Sequence, residues 1–181
     1  MHAHHGWSVS RILMTCATVL GLSLTISAVG PSTARAQDDT ATVESAEYKA
    51  KVTMPEGWEK ASGNEKAIAV FTHTGTQSQI EVVPTKLMTP DVADVFFSTF
   101  YKTLKESNFK QEKQDEATYG TYKGKETVYS FDHSGITLKV YVFSFVKDTT
   151  AWLVVGYWQD SEQDKVASAF KSTIETMTIG E

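Results

Sequence analysis

Downstream of residue 46 the chain alternates apolar and polar positions with a period of two, interrupted twice by a period near four. Tyr48, Ala50, Val52 and Met54 alternate with Lys49, Lys51 and Thr53, the pattern of a half-buried strand, and Pro55-Glu56-Gly57-Trp58 ends it in a turn. Ala67 to His73 and Gln77 to Val83 read as a hairpin turned by Thr74-Gly75-Thr76. Pro84 is expected to stop their pairing because it has no N–H to donate. Lys110 to Tyr119, Tyr122 to Asp132, Ile136 to Lys147 and Ala151 to Gln159 are four further strands. His133-Ser134-Gly135 joins the middle pair with glycine where positive φ is needed, and Asp148-Thr149-Thr150 joins the last.

The period of four marks two helices. Thr89-Pro90-Asp91 supplies an N-cap, a proline at the first helical position and an acid in the first turn. Val92, Phe96, Phe100 and Leu104 follow at steps of four, widened by Val95, Phe97 and Tyr101, and Ser107-Asn108 closes the run. The second helix begins at Ser161, with Asp164 placed like the partner of a capping box, and carries Val166, Phe170 and Ile174 on one face.

The last two strands decide the architecture. Ile136, Leu138, Val140 and Val142 oppose Tyr141, Phe143 and Phe145, and Trp152, Val154 and Trp158 oppose Leu153, Val155 and Tyr157, so both faces are apolar and both require cover. One amphipathic helix on each side provides it. The expectation is an α+β fold, a three-layer α/β/α sandwich with a mainly antiparallel central sheet and two main helices, because the connections are of hairpin length.

Upstream of this domain the sequence reads as an export signal over residues 1–36. Arg11 precedes an uncharged apolar run from Ile12 to Val29, then Pro31, and then Ala34-Arg35-Ala36 presents small residues for cleavage before Gln37. The run also approaches the lower limit of a membrane span, but its Gly, Ser and Thr weaken it as an anchor. Cys16 lies inside the run, in a poor match to a lipidation signal. Residues 37–45, polar and acidic, read as a flexible leader, and residues 46–181 as one domain. Export to periplasm or medium follows, with no stable membrane insertion after cleavage.

Composition then narrows the chemistry. The chain of 181 residues has 17 Lys and Arg against 22 Asp and Glu, a net charge of −5, so the basic surface that nucleic-acid binding requires is missing. Loss of Arg11 and Arg35 with the signal leaves 15 basic groups and a net charge of −7, and loss of Cys16 removes every thiol, excluding cysteine nucleophiles and thiolate metal sites. His2, His4 and His5 also precede the cleavage site. His73 and His133 remain, each at a hairpin tip, with no His-x-x-x-His, His-Glu-x-x-His or Asp-x-Asp spacing to build a metal site around them. No serine sits in a nucleophile elbow and no glycine-rich loop precedes a helix. Asp115-Glu116 and Asp160 with Glu162 fit a solvated face. Neither a catalytic residue, a metal site nor a cofactor is expected.

Aromatic residues are plentiful. Trp58, Trp152 and Trp158 join seven Tyr and nine Phe. They either fill the sandwich or, at Trp58 in its loop and Trp158 at a strand end, stand partly exposed as anchors for a partner.

The order of elements, with Tyr48 to Trp58 as opening strand and Pro-x-Gly-Trp turn, Gly124, Tyr129 and Gly135 along the meander, Trp152 to Val155 in the last long strand, and Phe170 with Ser172 in the closing helix, resembles the PsbP-like superfamily and its DcrB-type exported bacterial members. The resemblance spans about Ala46 to Ile179. It implies an α/β/α sandwich in a group of mostly binding or assembly proteins: an extrinsic subunit of photosystem II, a nuclear-transport factor, chaperones for secreted effectors and envelope proteins. It supplies no partner-binding residues. The expectation for function is a non-enzymatic binding or accessory protein for another exported or envelope protein. Two alternatives are a carrier of a small apolar ligand in a pocket between sheet and helix and a cofactor-free hydrolase.

Overall fold

A computed structural model describes residues 42–180 apart from residue 134. The expected signal, Cys16 and the cleavage residues Ala34, Ala36 and Gln37 lie outside the described residues.

Seven strands form one antiparallel sheet. In chain order they are β3 (Glu59–Lys60), β4 (Ala69–His73), β5 (Ser78–Lys86), β6 (Lys110–Tyr119), β7 (Tyr122–His133), β8 (Ile136–Lys147) and β9 (Thr150–Gln159), and in space they run β3-β4-β5-β9-β8-β7-β6. Helix α1 (Ala93–Glu106) and helix α2 (Gln163–Glu175) lie on its two faces. The strand directions follow from the alternation. Trp152, Val154 and Trp158 share a core with Phe143, Phe145 and the α2 residues Val166, Phe170 and Ile174. Their neighbours Leu153 and Val155 share the opposite core with Val140, Val142, Tyr129 and the α1 residues Phe100 and Leu104. The three-layer sandwich expected from the doubly apolar strands is the structure observed.

Three features depart from the sequence reading. First, β1 (Thr42–Ser45), β2 (Ala50–Thr53) and β10 (Thr178–Ile179) form a separate three-stranded sheet with β2 in the middle. The opening strand is thus no part of the main sheet, and the last four residues of the expected leader are ordered by pairing, Val43 opposite Val52. Tyr122 ties the closing strand down by donating to the Met177 carbonyl at 2.9 Å.

Second, Pro84 does not end pairing, since β5 continues to Lys86 and sets Pro84 opposite Trp152. The Val82 carbonyl accepts from the Ile68 N–H on the β4 side. Two residues on, the Pro84 nitrogen points the same way, where β4 has already ended, so no ladder bond is lost.

Third, both helices start through a short 3-10 turn, Pro90–Val92 before α1 and Asp160–Glu162 before α2. Thr89 is extended, as a cap must be, yet neither it nor Glu162 makes a side-chain cap bond. Ser161 lies within the 3-10 turn rather than at a cap. Packing, rather than capping, therefore fixes these helices. For α2 the burial of Phe170 and Ile174 contributes about 1.5–3 kcal/mol each.

A cavity beneath the first helix

The two halves of the sandwich are not equally filled. Helix α2 presses onto an aromatic wall: the Trp158 ring stacks on Tyr141 at 4.5 Å and meets Phe170 edge-on at 6.0 Å. Helix α1 covers its face incompletely. Phe100 and Leu104 are buried and Phe96 and Phe97 half-buried, while Val92, on the same stripe, and Val95, beside it, are exposed. Below the stripe, between α1 and strands β5 and β9, lies a cavity of about 510 Å³. Small-molecule sites generally occupy about 300–1,000 Å³. Leu153 and Val155 form its floor, Phe96 and Phe100 its roof, and Met88, Val92 and Val95 its rim, with Met88 93% exposed.

One end of this greasy space is polar. Successive side chains of β5 point to opposite faces, so Ile80 and Val82 enter the aromatic core while Gln79 and Glu81 face the cavity. Glu81 is 1% exposed. Gln79 donates from Nε2 to Glu81 Oε1, whereas Glu81 Oε2 has no hydrogen-bond partner among the described residues. Asn64 reaches the same end from the loop before β4. Its Oδ1 accepts from the Lys66 N–H at 3.0 Å and its carbonyl accepts from the Ala67 N–H at 2.9 Å, a local turn that fixes the side chain. Asn64 Nδ2 is buried and likewise unpartnered. It lies close enough to Glu81 to favour the ionised carboxyl, without completing a bond to Oε2. Burial outweighs both amides and pushes the Glu81 carboxyl up to about 7.

Sequence reasoning passed over Glu81 and Asn64. Gln79 and Glu81 alternate with apolar residues, which reads as a wet strand face, and only the position of α1 makes that face dry.

The residues singled out from sequence lie elsewhere. Trp58 and Trp158 are 3% and 1% exposed, so the expectation of partly exposed anchors is corrected and both indoles fill the core on the α2 side. The turn at Gly57 folds Trp58 back onto His73, ring centroids 5.6 Å apart, beside a second cavity of about 310 Å³ against α2. There Thr76 Oγ1 meets His73 Nδ1 at 3.0 Å and donates to Ser78 Oγ at 2.8 Å, hydrogen bonding internal to the β4–β5 turn. Among the described residues no histidine lines the cavity beneath α1. Among the described residues no group of three or more His, Cys, Asp or Glu could hold a metal ion, and no helix is long and apolar enough to cross a membrane.

The fold is similar to that of solved PsbP-like structures. Among solved structures the chain is similar to the cyanobacterial PsbP of Synechocystis sp. PCC 6803 (TM-score 0.57, 10% identity, covering 84% of this chain and 99% of that one). It is also similar to LpqN of Mycobacterium tuberculosis, described as involved in cell envelope biogenesis (TM-score 0.54, 14% identity, 78% of this chain and 91% of that one). A protein of Bacteroides thetaiotaomicron matches at TM-score 0.54 and 13% identity over 73% of this chain, which spans 45% of that longer protein. No protein-family model and no curated protein sequence matches the chain.

Proposed function

We propose that this chain is an exported, non-enzymatic binding protein of the cell envelope or secreted fraction, akin to the DcrB-type proteins, which holds an apolar ligand in the cavity beneath α1. The observation that carries the reading is the apolar hollow of about 510 Å³ that α1 leaves above Leu153 and Val155, with Val92 of its apolar stripe still exposed at the rim. Export is supported by the Arg11-led apolar run and the Ala34-Arg35-Ala36 site, and the envelope by the description of LpqN. The carrier reading gains over the accessory-subunit reading because the two tryptophans that would have anchored a partner are buried.

The test is uptake of an environment-sensitive apolar dye by the purified protein, with native mass spectrometry of the protein as isolated. Expected are saturable dye binding and an adduct of lipid size. Val155→Trp, which fills the floor of the cavity, is expected to abolish uptake while the melting temperature stays within a few degrees. Absence of both adduct and dye uptake would defeat the reading.

A further inference from the structure

The outward face of α1 carries a pattern that closing the sandwich does not explain. At about 3.6 residues per turn, Asp91, Asp94, Val95, Ser98, Lys102 and Lys105 fall on one side of the helix and its leading 3-10 turn, away from the buried Phe100 and Leu104, and all six are exposed. The acids lie at one end of this face and the lysines at the other. That polarity suits the helix dipole, but the middle of the face does not follow from it. Val95 is 66% exposed there, and the neighbouring hydroxyls are already engaged with their own helix. Ser98 Oγ and Thr99 Oγ1 each donate to the Val95 carbonyl, at 3.0 and 2.8 Å, so covering them leaves no donor unsatisfied.

We infer that this face binds the same face of a second copy of the chain, the two α1 helices lying antiparallel about Ser98. A two-fold interface must complement itself, and this face does so in the antiparallel sense alone. Antiparallel pairing sets Asp91 and Asp94 of each copy beside Lys102 and Lys105 of the other, whereas parallel pairing would set acid against acid. The small Ser98 lets the helices approach at the centre, and the methylene stem of Lys102 from the other copy covers Val95.

The charges are free to do this. Among the described residues Asp91, Asp94 and Lys105 hold no ion pair. Lys102 meets Glu106 at 3.7 Å, and that exposed i,i+4 contact contributes little. The inference goes beyond the carrier reading and does not depend on it, since Val92 and Phe96, on the cavity flank of α1, lie outside the face. One helix face is a small interface, so the dimer is expected to form only above about 0.1 mM and to weaken as salt screens its ion pairs.

Sedimentation equilibrium of the purified protein, from about 10 μM to about 1 mM and in low salt and about 0.5 M salt, is the test. It includes two double variants, Asp91→Lys with Asp94→Lys, and Lys102→Glu with Lys105→Glu. Expected are a reversible monomer–dimer equilibrium for the parent, weakened about tenfold by the salt, and monomers for each variant alone. A mixture of the two variants is expected to form a one-to-one heterodimer, because an all-basic face then meets an all-acidic one. Every residue changed is exposed, and melting curves at micromolar concentration check that both variants are folded. A parent that stays monomeric throughout, a parent dimer indifferent to salt, a variant that dimerises by itself, or a mixture of folded variants that stays monomeric would each overturn the inference.

Discussion

The ring of Trp158 lies back over Gly156, two residues earlier on the same face of β9, so that a Cβ at Gly156 would stand 2.4 Å from Trp158 Cζ3 and 2.9 Å from Phe170 Cδ2. Tyr141, opposite Gly156 in the ladder, closes the stack from the neighbouring strand. The glycine is therefore a seat for an indole rather than a weak point of the strand. Gly156→Ala is expected to destabilise the fold by about 1–3 kcal/mol, the usual cost of overpacking a filled core. Denaturant unfolding with an unchanged m-value checks it, and a variant as stable as the parent would contradict this packing.

Glu81 makes stability depend on pH. Its carboxyl titrates near 4.5 when unfolded and near 7 when folded, because burial favours the neutral form. A raised folded pKa means that this group's contribution is fully present below pH 4.5, declines as pH rises, and is lost above pH 7. The shift corresponds to about 3 kcal/mol. Glu81→Gln should therefore be more stable than the parent by up to about that amount at pH 8, and the gap should close towards pH 4.5. Melting curves across this range, without ligand, decide the matter: a gap that widens on acidification would contradict the assignment.

Two tyrosines on the α1 side separate a made hydrogen bond from an unmade one. Tyr101 reaches across from α1 to share a hydrogen bond with Ser144 Oγ at 2.7 Å, while the hydroxyl of the wholly buried Tyr129, stacked on Tyr101, has no partner among the described residues. Tyr101→Phe is expected to cost about 1 kcal/mol and to speed amide exchange in α1. Tyr129→Phe is expected to be neutral or stabilising, since it removes a desolvated hydroxyl that gains nothing in return. Thermal melts and hydrogen exchange of both variants provide the comparison. Equal destabilisation would show that Tyr129 has a partner.

At the cavity mouth, Val95 and Met88 present apolar side chains to water. Val95→Asp should leave the melting temperature unchanged, as the residue is 66% exposed. It should slow transfer of an apolar dye from lipid vesicles roughly fivefold, the equivalent of about 1 kcal/mol of lost apolar contact. Stopped-flow fluorescence with labelled vesicles measures it, and an unchanged rate would place the entrance elsewhere.

What was legible in the sequence is what side-chain direction decides. The opposed sets Trp152, Val154, Trp158 and Leu153, Val155, Tyr157 gave both cores their members before any coordinates, and the step of four from Val92 to Leu104 located α1. What was not legible depends on contacts distant along the chain. Residues 42–45 look like a polar tail until β2 pairs with them. Pro84 looks like a stop until the early end of β4 is known. Glu81 looks solvated until α1 covers it, and Trp58 looks exposed until its turn returns it to His73. Local pattern reports which way a residue points, while what it meets there is a property of the assembled chain.

Strand β9 holds the aromatic wall with its even-numbered residues and the floor of the hollow with its odd-numbered ones. A drifting gene could thus re-line the hollow by altering every second codon there, without disturbing the masonry behind it. Tolerance to substitution along this segment should rise and fall with residue parity, and a saturation library would display that as a comb.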